Sequence, residues 1–228
     1  MSAMDFVFML TRSDQTVADC LDVLDDIRPL IGPGGLAHVG FKDVGVEPAT
    51  LRELVSRIKG AGAITYMEVV STSREACLNS ARVARDIGVE RLLGGTQVDE
   101  VLAILKGSAT SYHPFPGKPV GHPTKLGGTP DEVEADCKAF AAKGCAGVDL
   151  LAYRATEADP IELVRAARRG SPGFLLVAGS VATPAQIHAL AAAGADAFTI
   201  GSALFDGSFD PRLGSLRSQL TAVLRACA

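Results

Sequence analysis

Apolar residues fall in short, near-continuous runs separated by longer amphipathic stretches. Near-continuous runs are the mark of parallel strands covered by helices on their outer face. They predict strands over 6–11, 37–42, 64–69, 90–95, 109–113, 146–151, 174–179 and 197–201. Helical patterns fill the gaps, near 15–29, 48–60, 74–87, 98–106, 130–143, 159–169, 184–193 and 212–226. Ser73 stands as an N-cap, and Thr129-Pro130, Asp159-Pro160 and Thr183-Pro184 place Pro at the first helical position. Gly62, Gly88, Gly144, Gly170 and Gly194 are read as lying just past helix ends. A doubly wound open sheet would fit the same spacing. Eight β-then-α units without a break favour one closed α/β domain over 1–228, a parallel (β/α)8 TIM barrel.

Strand phase then selects side chains. In a barrel, alternate positions point inward, and strand C-terminal ends line the active face. Val39 and Phe41 suit the helix layer, which turns Lys42 inward. The same reading turns Glu68 inward past Met67 and Val69, and Asp149 inward between Val148 and Leu150. Three charged groups in one low-dielectric cavity must pair or share protons, so Lys42, Glu68 and Asp149 are the candidate catalytic cluster. Lys42 has two open roles: a cation that stabilises an enediolate, or a Schiff-base nucleophile. An interior ion-pair network that only fills the barrel is the structural alternative.

Two strand-to-helix turns near the C-terminus, Gly179-Ser180 and Gly201-Ser202, carry small residues where helix starts can hold an anion. The pieces Ala178-Gly179-Ser180-Val181, Ala193-Gly194-Ala195-Asp196 and Ile200 to Gly207 resemble the ribulose-phosphate-binding barrels, most closely the histidine-biosynthesis isomerase and cyclase branch. The likeness spans Leu176 to Phe209, about a sixth of the chain. It implies the barrel fold and phosphate binding at Gly179, Ser180, Gly201 and Ser202. That branch places aspartates at the ends of strands 1 and 5. Here these ends read Leu10-Thr11-Arg12 and Ser111-Tyr112-His113. The branch's second phosphate turn, after strand 3, is replaced by Val69 to Ser73, so at most a weak polar site is expected opposite the first. The turn ending in Thr96 resembles the branch's Ile-Gly-Thr.

The segment His113 to Thr129 reads as a long irregular loop on the active face, with Gly117, Gly121, Gly127 and Gly128 as hinges of a lid. Its His113, His122 and Lys125, with Arg12, Thr96 and Arg154 on other loops, are the candidate substrate contacts.

The formal charge of −4 argues against nucleic acid, and no apolar stretch reaches the roughly 20 residues that span a bilayer. Five cysteines without C-x-x-C spacing fit reduced thiols and a cytoplasmic location. No cofactor motif is present, and His113, Glu68 and Asp149 lack the His-x-Asp spacing of metal-dependent epimerase barrels, so no metal is expected. The partner expected is a phosphorylated small molecule, with homo-oligomerisation left open. The resulting expectation is an enzyme of isomerase or epimerase type acting on a phosphorylated sugar. A lyase or aldolase using Lys42 and a non-catalytic phosphometabolite-binding barrel are the alternatives.

Overall fold

A computed structural model describes residues 4–32, 34–70 and 73–227. The chain runs β1 (Asp5–Met9), β2 (Thr11–Arg12), β3 (Gln15–Thr16), α1 (Cys20–Ile27), β4 (His38–Lys42), α2 (Pro48–Gly60), β5 (Ile64–Val69) and α3 (Arg74–Ile87). It continues with β6 (Arg91–Gly94), α4 (Val98–Leu105), β7 (Ser111–His113), β8 (Lys118–Val120), β9 (Lys125–Gly127), α5 (Pro130–Ala142) and β10 (Gly147–Leu150). The last part holds α6 (Pro160–Gly170), β11 (Phe174–Val177), α7 (Pro184–Ala193), β12 (Ala197–Ile200), α8 (Ser202–Phe205) and α9 (Leu216–Ala226).

Among the described residues, eight parallel strands pair in the order β10-β11-β12-β1-β4-β5-β6-β7. The seam between β7 and β10 is closed by Ala146 N–H donating to the Tyr112 carbonyl and Asp149 N–H to the Pro114 carbonyl, both at 3.0 Å. The chain is a (β/α)8 barrel. Its helices start where caps were expected: Thr129 and Thr183 form capping boxes with Glu132 and Gln186, and Asp159 accepts from Ile161 and Glu162. Outward strand residues such as Val39, Phe41, Met67 and Leu92 are fully buried under the helices.

Four local expectations are corrected. The first strand and helix do not meet as expected, because residues 11–16 fold into the small antiparallel hairpin β2–β3. Thr16 stitches it to β4, its hydroxyl donating to the Lys42 carbonyl at 2.7 Å and accepting from Lys42 N–H at 2.9 Å. The segment 113–129 is not irregular. It carries the hairpin β8–β9, anchored by Leu126, which is buried, and by an ion pair between Lys118 and Glu132 at 2.6 Å. Gly170 is not past a helix but ends α6 inside it. A Cβ there would sit 2.4 Å from the Glu134 carbonyl, so glycine is what allows α6 to lie against α5. Finally, the short helix α8 follows β12 before α9 begins.

Candidate active site

β4 and β5 pair with Lys42 opposite Glu68, at the C-terminal ends of both strands. The Lys42 ammonium donates to Glu68 Oε1 at 3.1 Å and to Asp14 Oδ1 at 3.0 Å. Asp14 sits in the turn of β2–β3 and is also clasped by Arg154, whose Nη1 and Nη2 donate to its two oxygens at 2.9 Å each. All four side chains line one cavity of about 270 Å³. Burial pushes the Asp14 carboxyl up, but the Arg154 hydrogen bonds and the Lys42 and Arg154 charges prevail and hold it at about 2. Burial likewise opposes the Lys42 ammonium, and the Glu68 and Asp14 charges more than offset it, so Lys42 is held protonated above its ordinary range.

Asp149 lies below this floor. It is fully buried, and among the described residues neither carboxylate oxygen has a hydrogen-bond partner. Burial first, then the Glu68 charge, push its carboxyl well above the usual range, against the opposing pull of Lys42 and Arg154. Asp149 therefore keeps its proton where an ordinary aspartate has lost it.

The turns Gly179-Ser180 and Gly201-Ser202 form the opposite wall of the cavity. Their glycines make room for protein as much as for a ligand. A Cβ at Gly179 would come within 2.5 Å of Arg154 Nε, and one at Gly201 within 2.4 Å of Thr11 Oγ1. Ser13, Asp14 and Ser180 are the non-glycine residues with positive φ among the described residues, at 50°, 58° and 62°. Such strain clusters at functional sites. Gly179→Ala is expected to cost about 1–2 kcal/mol from its φ of +79° alone, and to push Arg154 off Asp14. Urea unfolding together with phosphate titration would check it: a native midpoint with native phosphate affinity would contradict the packing described.

The other sequence-derived candidates are scattered. Arg12 spends its guanidinium on the Phe205 carbonyl and on Asp206, both at 3.2 Å, and so pins α8. Thr96 is exposed, bonds to the Gln97 side chain, and lines neither this cavity nor the one beside it. His113 is buried lower in the barrel, against Ser111 and Phe174. Burial and the Arg91 charge lower it to about 3, which leaves it neutral and away from the cavity. His122 is exposed in the β8–β9 turn and lines neither cavity, whereas Lys125 lines the adjoining one. Asp14 is the residue that sequence reasoning missed. Its one signal is the short polar run Arg12-Ser13-Asp14-Gln15, which fits a tight hairpin turn after a strand. Asp43 turns outward, accepting from Val70 N–H at 3.0 Å and from the Ser80 hydroxyl at 2.5 Å. Among the described residues, no three His, Cys, Asp or Glu converge as a metal-binding group, and no helix is long and apolar enough to cross a membrane.

Solved structures of low identity share this architecture. Orotidine 5'-phosphate decarboxylase from Pyrococcus horikoshii OT3 matches with a TM-score of 0.63 at 13% identity, over 97% of this chain and 98% of that one. The tryptophan synthase complex from Pyrococcus furiosus matches at 0.62 and 12%, over 98% and 97%. FabK from Thermotoga maritima matches at 0.59 and 14%, over 88% of this chain but only 58% of FabK. At such identities the likeness is one of fold. That fold is the (β/α)8 barrel, and nothing in these neighbours singles out the histidine-biosynthesis branch. No protein-family model and no curated protein matches the chain.

Proposed function

We propose that this chain is a single-domain, cytoplasmic enzyme that moves a proton beside the carbonyl of a small phosphorylated sugar-like metabolite, through an enediolate. The observation that carries the reading is the Lys42 ammonium clamped by Asp14 and Glu68 on a cavity floor, with Asp149 buried unpartnered beneath. The phosphate would rest on the Gly179-Ser180 and Gly201-Ser202 turns, as in the histidine-pathway barrels that this segment resembles. Lys42 would donate to the carbonyl oxygen and gain strength as that oxygen becomes an enediolate. Glu68, which lines the cavity, would take the carbon proton and return it to the neighbouring carbon. Asp149, keeping its own proton, spares the site a second buried negative charge next to Glu68. Asp14 and Arg154 position Lys42 rather than react.

The clamp also bears on the Schiff-base alternative. An ammonium held between two carboxylates has no free lone pair, so Lys42 fits a stabilising cation better than a nucleophile. A binding barrel without turnover would gain nothing from an unpartnered buried acid. The decarboxylase and the tryptophan synthase named above are enzymes, which is in keeping with turnover here.

Solvent exchange tests the reading. Dihydroxyacetone phosphate, ribulose 5-phosphate, xylulose 5-phosphate and fructose 6-phosphate would each be incubated with the protein in deuterium oxide and followed by proton NMR. At least one is expected to lose a single carbon-bound proton, Glu68→Gln is expected to abolish the loss, and borohydride is expected to leave Lys42 unmodified. No exchange with any sugar, together with a sugar fixed on Lys42 by borohydride, would reverse the assignment in favour of the lyase.

A further inference from the structure

A second cavity of about 540 Å³ adjoins the first, and the proton-transfer chemistry makes no use of it. The two share Asp14, Arg154, Ser180 and Ser202, so the Arg154–Asp14 clasp stands at their junction. The far wall is built by the β8–β9 hairpin, through Thr124 in its turn and Lys125 at the start of β9, and by Tyr153 and Thr156 after β10. The turn is held in place there: Arg154 Nη1 donates to the Thr124 carbonyl at 3.3 Å, and Thr156 N–H to the Leu126 carbonyl at 3.0 Å. Charge on this wall is unbalanced. Arg154 is neutralised by Asp14, and Lys42 by Asp14 and Glu68. The Lys125 ammonium has no ion pair or hydrogen bond among the described residues. The first cavity alone lies near the lower limit of the roughly 300–1,000 Å³ typical of small-molecule sites. It holds a phosphate and the reacting carbons with little to spare.

We infer that the second cavity is a subsite for the distal end of the substrate, and that this end carries an anionic group seated on Lys125. The substrate class is then a phosphorylated sugar with a second anion, a carboxylate or a phosphate, separated from the first by a chain that passes Arg154. The inference rests on the reading of the first cavity as a phosphate site. It departs from the sequence expectation about where a second polar site would lie. That expectation fell on Val69 to Ser73, of which Ser71 and Thr72 lie outside the described residues. The cation arises instead from the β8–β9 hairpin.

Calorimetric titration of the wild type and Lys125→Met with three probe series tests this. The series are alkyl phosphates, ω-carboxyalkyl phosphates and alkanediol bisphosphates, each from three to seven carbons. In the wild type, one chain length of a doubly anionic series is expected to bind at least tenfold more tightly than the matching alkyl phosphate. The series that gains identifies the anion. In Lys125→Met that advantage is expected to vanish while alkyl phosphate affinity stays unchanged. Equal affinity for all three series in the wild type overturns the subsite and leaves the phosphate site standing, as does an advantage that survives in Lys125→Met. Failure of every probe to bind the wild type overturns the phosphate site and the subsite with it.

Discussion

Lys42→Met is expected to lower stability by about 3–5 kcal/mol at neutral pH and to abolish carbon–proton exchange. Lys42 is 5% exposed and its ammonium carries the Glu68 carboxylate at 3.1 Å, a contact for which the described residues provide no substitute. Asp14 is less affected, because Arg154 still holds both of its oxygens. The loss therefore concentrates on Glu68, left charged and buried near Asp149. A second variant separates folding from chemistry. Lys42→Met/Glu68→Gln removes both charges and should recover most of the lost stability in urea unfolding, yet remain without exchange. If the single variant is as stable as wild type at pH 7, the clamp is not holding a buried charge. If the double variant regains exchange, Lys42 has no place in the reaction.

The barrel was legible because its strands are buried on both faces and its helix starts are chemically marked. Runs such as Ile64 to Val69 and Phe174 to Val177 leave a parallel, covered strand as the reading, and Thr129-Pro130 and Thr183-Pro184 fix helix starts to the residue. The hairpins were not legible for the opposite reason. β2–β3 and β8–β9 are two- and three-residue strands whose pairing is decided by tertiary anchors, Thr16 on β4 and Leu126 in the core. Gly170 misled because a glycine at a helix end and a glycine at a helix–helix contact look alike in one sequence.

The same division runs through the site. Strand phase alone brought Lys42, Glu68 and Asp149 to the barrel interior, since period two leaves little freedom once the outward neighbours are known. Residues in loops, in short hairpins and at the last position of a strand take little from phase. Arg12, Thr96, His113, His122, Lys125 and Arg154 were equivalent as polar groups near strand ends, and geometry separates them: Arg154 and Lys125 line cavities, whereas Arg12 and His113 are engaged elsewhere. Asp14 escaped because it reaches Lys42 from a turn with two successive positive φ angles, a conformation that neither Ser13 nor Asp14 announces.

Asp149→Asn is expected to make the protein more stable at neutral pH while leaving carbon–proton exchange in place, since asparagine spares Glu68 a neighbouring charge as the protonated acid does. A buried aspartate that keeps its proton in the native state loses it at about pH 3.8 once unfolded. Above that pH the native state therefore binds one proton more than the unfolded state, and stability falls as pH rises, by about 1.4 kcal/mol per pH unit, until the raised native value is reached. Asparagine has the same shape and no proton to lose, so this decline should disappear from the variant. Asp14 contributes with the opposite sign in a separate window. Its carboxyl is held at about 2, so its stabilisation is complete above 3.8 and is lost as pH falls toward 2, in wild type and variant alike. Urea unfolding from pH 2 to 8 resolves the two. The curves should run together on the acid side and separate above pH 4, with the variant higher. Parallel curves over the whole range would mean that Asp149 ionises normally, and the neutral acid beneath Lys42 would have to be abandoned.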